Sequence, residues 1–225
     1  MTLGRAIVRN PACFLMDEPL GALDAEFRDH MAGELRALHD RMRATTVYVT
    51  HDQMEAMQMR DKIVVMNHGV DEKFGKPQDI DDWPATTFGA NFIGSPPMNF
   101  LRFGGMVGHG MTSIDMSDQA IEIAQMFDGA TGALILGVRP ENVHLDDEAS
   151  TRGRILAGEY LGTTQIVTLD TARGQVKARI DSETSVRIDD TTGQRFDARS
   201  ITLFDQRGPG ASVHRQPKGA APWLR

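Results

Sequence analysis

The chain has 225 residues, 24 Lys and Arg against 31 Asp and Glu, and a formal net charge of −7. That balance argues against a general nucleic-acid binder, while 40% hydrophobic residues suffice for a core and argue against wholesale disorder. No apolar run approaches the roughly 18 residues of a membrane span, the N-terminus does not read as a signal peptide, and a single cysteine, Cys13, excludes an internal disulfide framework and a cysteine-based zinc site. The expected compartment is cytosolic.

In chain order, Leu3 to Arg9 is helix-like. Ala12-Cys13-Phe14-Leu15-Met16 is a continuous apolar run that predicts a strand buried on both faces, with Cys13 an inert thiol inside it. Asp24 is placed to cap a helix in which Phe27, Met31, Leu35, Leu38 and Met42 form one apolar stripe. Thr46 to Thr50 predicts a second strand, residues 52–60 a short helix, and Ile63 to Met66 a third strand that ends in the hairpin-like turn Asn67-His68-Gly69. This order of strands and helices is a parallel α/β pattern, and residues 1–75 supply too little of one. They read as part of a larger α/β domain whose first half is missing. Pro77 and Pro84 predict two helix starts. Phe88, Phe92 and Ile93 share a face of the second helix, and Gly94-Ser95-Pro96-Pro97 marks a boundary.

Beyond residue 100 the runs are short and β-like: Leu134–Val138, Gln165–Leu169, Gln175–Ile180 and Ile201–Phe204, separated by turns rich in Gly, Asp and Thr. They predict a small all-β, barrel-like domain. Past Gln206 there are four basic residues, three prolines and no acid, so residues 207–225 are expected to form a disordered tail.

The chemistry concentrates at two strand ends. Asp17 and Glu18 leave the C-terminal end of a buried parallel strand, where open α/β sheets place ligands. One carboxylate there can hold a magnesium ion while its neighbour orients a water; the plainer reading is a charged turn. Thr50-His51-Asp52 follows the next strand, and a parallel crossover brings both ends to one edge of the sheet. Asp17, Glu18 and His51 are therefore expected to converge. His30, His39 and His68 lack metal-ligand spacing, Asp146-Asp147-Glu148 reads as an exposed loop, and Arg139 and Glu141 read as a surface ion pair.

Leu15-Met16-Asp17-Glu18-Pro19-Leu20-Gly21-Ala22-Leu23-Asp24-Ala25 resembles the Walker B motif and D-loop of ATP-binding-cassette ATPases. Tyr48-Val49-Thr50-His51-Asp52-Gln53-Met54-Glu55-Ala56-Met57 resembles their switch-histidine loop, and Gly4 to Pro11 resembles the helix after their signature motif. Phe92 to Phe100, Gly137-Val138-Arg139-Pro140-Glu141 and Glu159-Tyr160-Leu161-Gly162 are similar to the junction and C-terminal regulatory domain of carbohydrate importers, most of all the maltose and glycerol-phosphate type. The resemblance implies ATP and magnesium as cofactors in the complete protein, with Asp17 on magnesium, Glu18 as general base, His51 on the γ-phosphate and Asp24 at the interface of two nucleotide domains. It also implies transmembrane permease subunits and a periplasmic solute-binding protein as partners, a homodimer, and a place on the cytoplasmic face of the inner membrane.

The fold class implied is an α/β fragment, the C-terminal half of a P-loop ATPase domain, followed by a small all-β OB-like barrel. Its parts are a partial nucleotide-binding domain with linker helices (1–94), a regulatory β domain (95–206) and the tail (207–225). A phosphate-binding loop, Gly-x4-Gly-Lys-Ser/Thr, is missing from the sequence. The string Gly69 to Gly75-Lys76-Pro77 has the wrong spacing and lies in a hairpin. The glutamine loop and signature motif are missing too. Two further readings stay open: a non-catalytic regulatory or dimerising fragment, and a nonfunctional gene remnant.

Overall fold

A computed structural model of the chain describes residues 11–116, 120–126, 129–206 and 212–213. The helix expected at Leu3 to Arg9 lies outside the described residues. So does most of the expected tail, apart from Ser212–Val213. The chain divides into two units, Met1–Ile80 and Asp81–Arg225.

In the first unit β1 (Cys13–Asp17) and β2 (Thr45–Val49) pair in parallel, from Cys13 opposite Thr45 to Asp17 opposite Val49. The crossover between them is α1 (Ala25–Met42). Asp24 caps it by accepting the Phe27 N–H at 2.9 Å, which satisfies one of the amides a helix start leaves unpaired. Arg43 ends it in a left-handed conformation, φ 52°, with its N–H on the His39 carbonyl. The predicted stripe is real in its middle. Leu35 and Ala32 are buried with Leu20, and Met31, Leu38 and Tyr48 pack against them. Phe27, at the stripe's beginning, is 51% exposed instead. Burying a leucine such as Leu35 contributes about 1.5–3 kcal/mol.

Two expectations for this unit are corrected. β1 is not buried on both faces: Phe14 is buried, but Leu15 is 80% exposed, and Cys13 is exposed rather than inside the strand's packing. The cause is that β1 has β2 as its strand neighbour and packs on one face, so alternate side chains face outward. The third strand, β3 (Ile63–Asn67), does not extend the parallel pair. It forms an antiparallel hairpin with β4 (Val70–Gly75). His68 and Gly69 both have positive φ, 48° and 79°, the backbone of the tight turn that the strand twist favours. Between β2 and β3 lies the short α2 (Gln53–Met59), and α3 (Pro77–Asp82) follows β4, starting at Pro77 as expected.

The second unit opens on α4 (Thr87–Phe92), which begins three residues beyond Pro84. Thr86 caps it through the Gly89 N–H at 3.1 Å, and the Phe88 and Phe92 rings stack at 6.0 Å. The rest is β. In β5 (Asn99–Val107), β8 (Ala130–Val138), β14 (Thr202–Asp205) and β15 (Ser212–Val213), the sheet order is β15-β14-β8-β5. A second sheet holds β9 (Val143–Leu145), β10 (Arg152–Tyr160), β11 (Thr164–Thr171), β12 (Gly174–Asp181) and β13 (Thr191–Phe196) in the order β12-β11-β10-β13-β9. A small ribbon of β6 (Ser113–Asp115) and β7 (Ala120–Glu122) completes the set. Leu134, Leu136 and Val138 from one sheet share a core with Val167, Leu169 and Val176 from the other. The Asn99 side chain links the sheets in place of a ladder: it donates to the Lys177 carbonyl at 2.8 Å and accepts the Lys177 N–H at 2.7 Å. The result is the small all-β domain that the short runs predict, of the OB-like kind that the resemblance implies.

The Gly137 to Glu141 stretch is structural. A Cβ on Gly137 would lie 2.6 Å from the Met98 sulfur and 2.8 Å from the Phe204 ring, so glycine lets that cluster close. Arg139 is not a surface ion pair with Glu141. It is buried, donates to the Ile93 carbonyl at 2.6 Å, and pairs with Asp81 at 2.6 Å.

Candidate active site

The parallel pairing of β1 and β2 carries the backbone one residue further: the Glu18 N–H donates to the Val49 carbonyl at 2.9 Å. Glu18 then turns with φ 42°, a conformation uncommon for a side-chain-bearing residue, which often marks a functional turn. This turn aims the Glu18 carboxylate across the strand ends. His51, just past β2, meets it with Nδ1 2.7 Å from Oε1. Both groups face water, with side-chain exposures of 73% for His51 and 49% for Glu18. The hydrogen bond and the negative charge of Glu18 raise the His51 pKa above its ordinary value, against slight desolvation, with help from Asp52 and Glu55. The imidazolium is thus favoured, and Nε2 remains for a further acceptor.

The other two expected residues are placed differently. Asp17 ends β1 beside Glu18 and is exposed. Asp24 is exposed too, and its side chain is engaged in capping α1.

The loop bearing His51 is held by residues to which sequence reasoning gave no role. Glu55 is a carboxylate only 4% exposed. It accepts hydrogen bonds from Tyr48 Oη and Thr50 Oγ1, both at 2.9 Å, and lies 3.6 Å from Arg28 Nε. Arg28 also pairs with Asp52 at 3.0 Å and donates to the Leu23 carbonyl at 3.0 Å. Asp52 caps α2 by accepting the Met54 and Glu55 N–H groups at 2.7 and 3.2 Å. Desolvation works against its ionised form, but those two amides and Arg28 outweigh it and hold the carboxyl below its usual range. Burial, then the bond to Glu55, pushes the Tyr48 phenol upward. His51 therefore sits on a loop pinned on both sides by charged and hydrogen-bonded groups.

Among the described residues no group of three His, Cys, Asp or Glu forms a metal cage. Asp17 is a single exposed carboxylate, the donor type magnesium uses together with waters and substrate phosphates. The backbone cradle for the phosphates is not among the motifs of this sequence.

A family profile described as "TOBE domain" matches residues 136–204. The trehalose/maltose import ATP-binding protein MalK of Thermococcus litoralis is 40% identical over 218 residues, covering 92% of this chain and 59% of that protein. The sn-glycerol-3-phosphate import ATP-binding protein UgpC of Ruegeria pomeroyi is 45% identical over 167 residues, covering 74% of this chain and 46% of that protein. An ABC transporter ATP-binding protein of Bacillus subtilis, itself uncharacterized, is 39% identical over 221 residues and is covered to 59%. The chain thus spans about half the length of these curated relatives. Among solved structures, the cytoplasmic molybdate-binding protein ModG is a remote likeness, with TM-score 0.37 and 13% identity over 47% of this chain and 94% of that one.

Proposed function

Because the chain is a homologue of sugar and glycerol-phosphate importer ATP-binding proteins and carries a TOBE domain, we propose that it provides the water-activating part of an ATPase that energises such an importer. The observation that carries this reading is the 2.7 Å contact between Glu18 and His51 at paired strand ends. Glu18 accepts a proton from the attacking water and holds that water in line. His51 keeps the Glu18 carboxylate oriented through Nδ1 and offers Nε2 to the γ-phosphate. Asp17 would hold magnesium, which would supply positive charge against the phosphates. The pinned Thr50–Asp52 loop fixes His51 before nucleotide arrives, and preorganisation of this kind is where phosphoryl transfer gains most.

In this reading the phosphate-binding loop comes from residues other than these 225, and Asp24 lies near a second nucleotide domain. The partners are permease subunits in the membrane, a periplasmic solute-binding protein and a second copy of the subunit, all at the cytoplasmic face of the inner membrane. No helix among the described residues is long and apolar enough to cross a membrane. The test is nucleotide binding by the chain alone and with a companion segment carrying the loop. Alone, the chain should bind MgATP very weakly and release no phosphate, because backbone amides and a lysine for the β- and γ-phosphates are lacking. With the segment, hydrolysis should appear. Turnover by the chain alone that Glu18→Gln abolishes would refute this division of labour.

The lack of that loop also favours a second reading, in which the chain acts through its β domain as a regulatory or dimerising module. Hydrolysis in the reconstituted pair separates the two.

A further inference from the structure

The two arms of the candidate site are joined on one side by the strand ladder, through the Glu18 N–H on the Val49 carbonyl at 2.9 Å. Beyond that bond they leave the sheet separately. Glu18 enters two successive turns, closed by the Gly21 N–H on the Glu18 carbonyl at 3.2 Å and the Leu23 N–H on the Leu20 carbonyl at 3.0 Å. Leu20 is 2% exposed and anchors this segment in the core. On the other arm His51 is flanked by Thr50 and Asp52, and the Asp52 N–H donates to Thr50 Oγ1 at 3.0 Å. The Glu18 and His51 side chains are both exposed, and an exposed pair contributes too little to hold two backbone segments in register by itself.

The Arg28 guanidinium, in the first turn of α1, closes the open side. Its Nη2 donates to the carbonyl of Leu23, the residue before the helix cap Asp24. Its Nη1 donates to Asp52 Oδ2 at 3.0 Å, which leaves Oδ1 to cap α2. Its Nε lies 3.6 Å from Glu55 Oε1, while Glu55 Oε2 accepts from Thr50 and Tyr48. Both neighbours of His51 thus lead to one guanidinium, Asp52 directly and Thr50 through Glu55. The segment that follows Glu18 leads to it as well. A planar fork makes these contacts in fixed directions, which the single ammonium of a lysine on its flexible stem does not reproduce. The fork is rooted in an 18-residue helix that Ala32 and Leu35 seat in the core. We propose that Arg28 is a positioning residue, holding the Glu18 turn and the His51 loop at the separation that the Glu18–His51 contact requires. The consequence for hydrolysis rests on the ATPase reading; the effect on the Glu18–His51 contact does not.

The test is an NMR titration of His51 in the full chain, without nucleotide. Contact with Glu18 raises the His51 pKa. Removing a positive charge near the loop would by itself favour the imidazolium and move the midpoint up. Loss of positioning separates His51 from Glu18 and moves it down, so the two effects have opposite signs. Arg28→Gln should keep the circular dichroism spectrum and lower the midpoint toward that of Glu18→Gln. Arg28→Lys keeps the charge and loses the fork; it should lower the midpoint too, and serves if Arg28→Gln does not fold. A midpoint unchanged or raised in a folded variant would overturn the assignment. In the chain combined with a segment carrying the phosphate-binding loop, Arg28→Lys should lower kcat about 10- to 100-fold with MgATP affinity unchanged, and an unchanged kcat would likewise overturn it. Absence of hydrolysis from the unmodified pair would instead fail the ATPase reading, with the titration still deciding the role of Arg28.

Discussion

His51 and Glu18 make a contact whose strength depends on pH. The hydrogen bond to Glu18 raises the folded-state pKa of His51 above the ordinary histidine value. Its stabilising contribution is therefore complete below that ordinary value and is lost as pH rises through the folded value. Glu18→Gln should move the His51 titration, followed by NMR, back toward the ordinary value; an unmoved titration would mean that the two side chains do not meet in solution. Glu55 offers a second test. Replacing it with alanine removes two hydrogen bonds to a buried carboxylate and leaves Arg28 with Asp52 as its ionic partner. The expected loss is about 2–3 kcal/mol, seen as earlier unfolding of the first unit in denaturant. The convergence of Glu18 and His51 was legible in the sequence because parallel strands put their C-terminal ends together. The role of Glu55 was not, although a signal existed. Asp52 and Glu55 have the spacing of a reciprocal helix cap, and half of that cap forms, through the Glu55 N–H to Asp52. The Glu55 side chain then turns inward to Tyr48 and Thr50, a choice that depends on β2 packing beside it.

Elements were legible where their apolar period was uninterrupted. β8, β11 and β12 contain the runs predicted for them, and the positions of Leu134, Leu136, Leu169 and Val176 in the core follow from alternation. β5 and β10 were harder to read, since Gly104-Gly105 in one and Gly153 and Gly158 in the other break the pattern with residues that favour turns. The burial of β1 was misjudged for a different reason: an apolar strand sequence does not state how many neighbours it will have. At this scale Gly137→Ala should cost about 1–3 kcal/mol by overpacking against Met98 and Phe204. Arg139 gives a further expectation. A fragment of residues 95–206 lacks the Ile93 carbonyl and the Asp81 carboxylate that hold this buried guanidinium, so it should melt below a fragment of residues 81–206. Equal melting temperatures would show that those contacts add nothing.

For the whole molecule, the first unit leaves Leu15, Val47, Val49, Val64, Met66 and Phe74 each at least 46% exposed. Apolar surface of that extent promotes association, so residues 1–90 alone should aggregate or fold poorly, whereas the second unit, with its shared two-sheet core, should remain soluble. The second unit should also self-associate with concentration and without nucleotide, if it carries the subunit contact proposed for it; sedimentation showing monomer alone up to high micromolar concentration would remove that role. The role proposed for Glu18 is to activate the water that cleaves ATP. It is tested most directly by phosphate release from the chain combined with a segment supplying the phosphate-binding loop, with and without Glu18→Gln. The variant should bind MgATP as the unmodified chain does and hydrolyse it about 10²–10⁴-fold more slowly; hydrolysis at the unmodified rate would contradict the account.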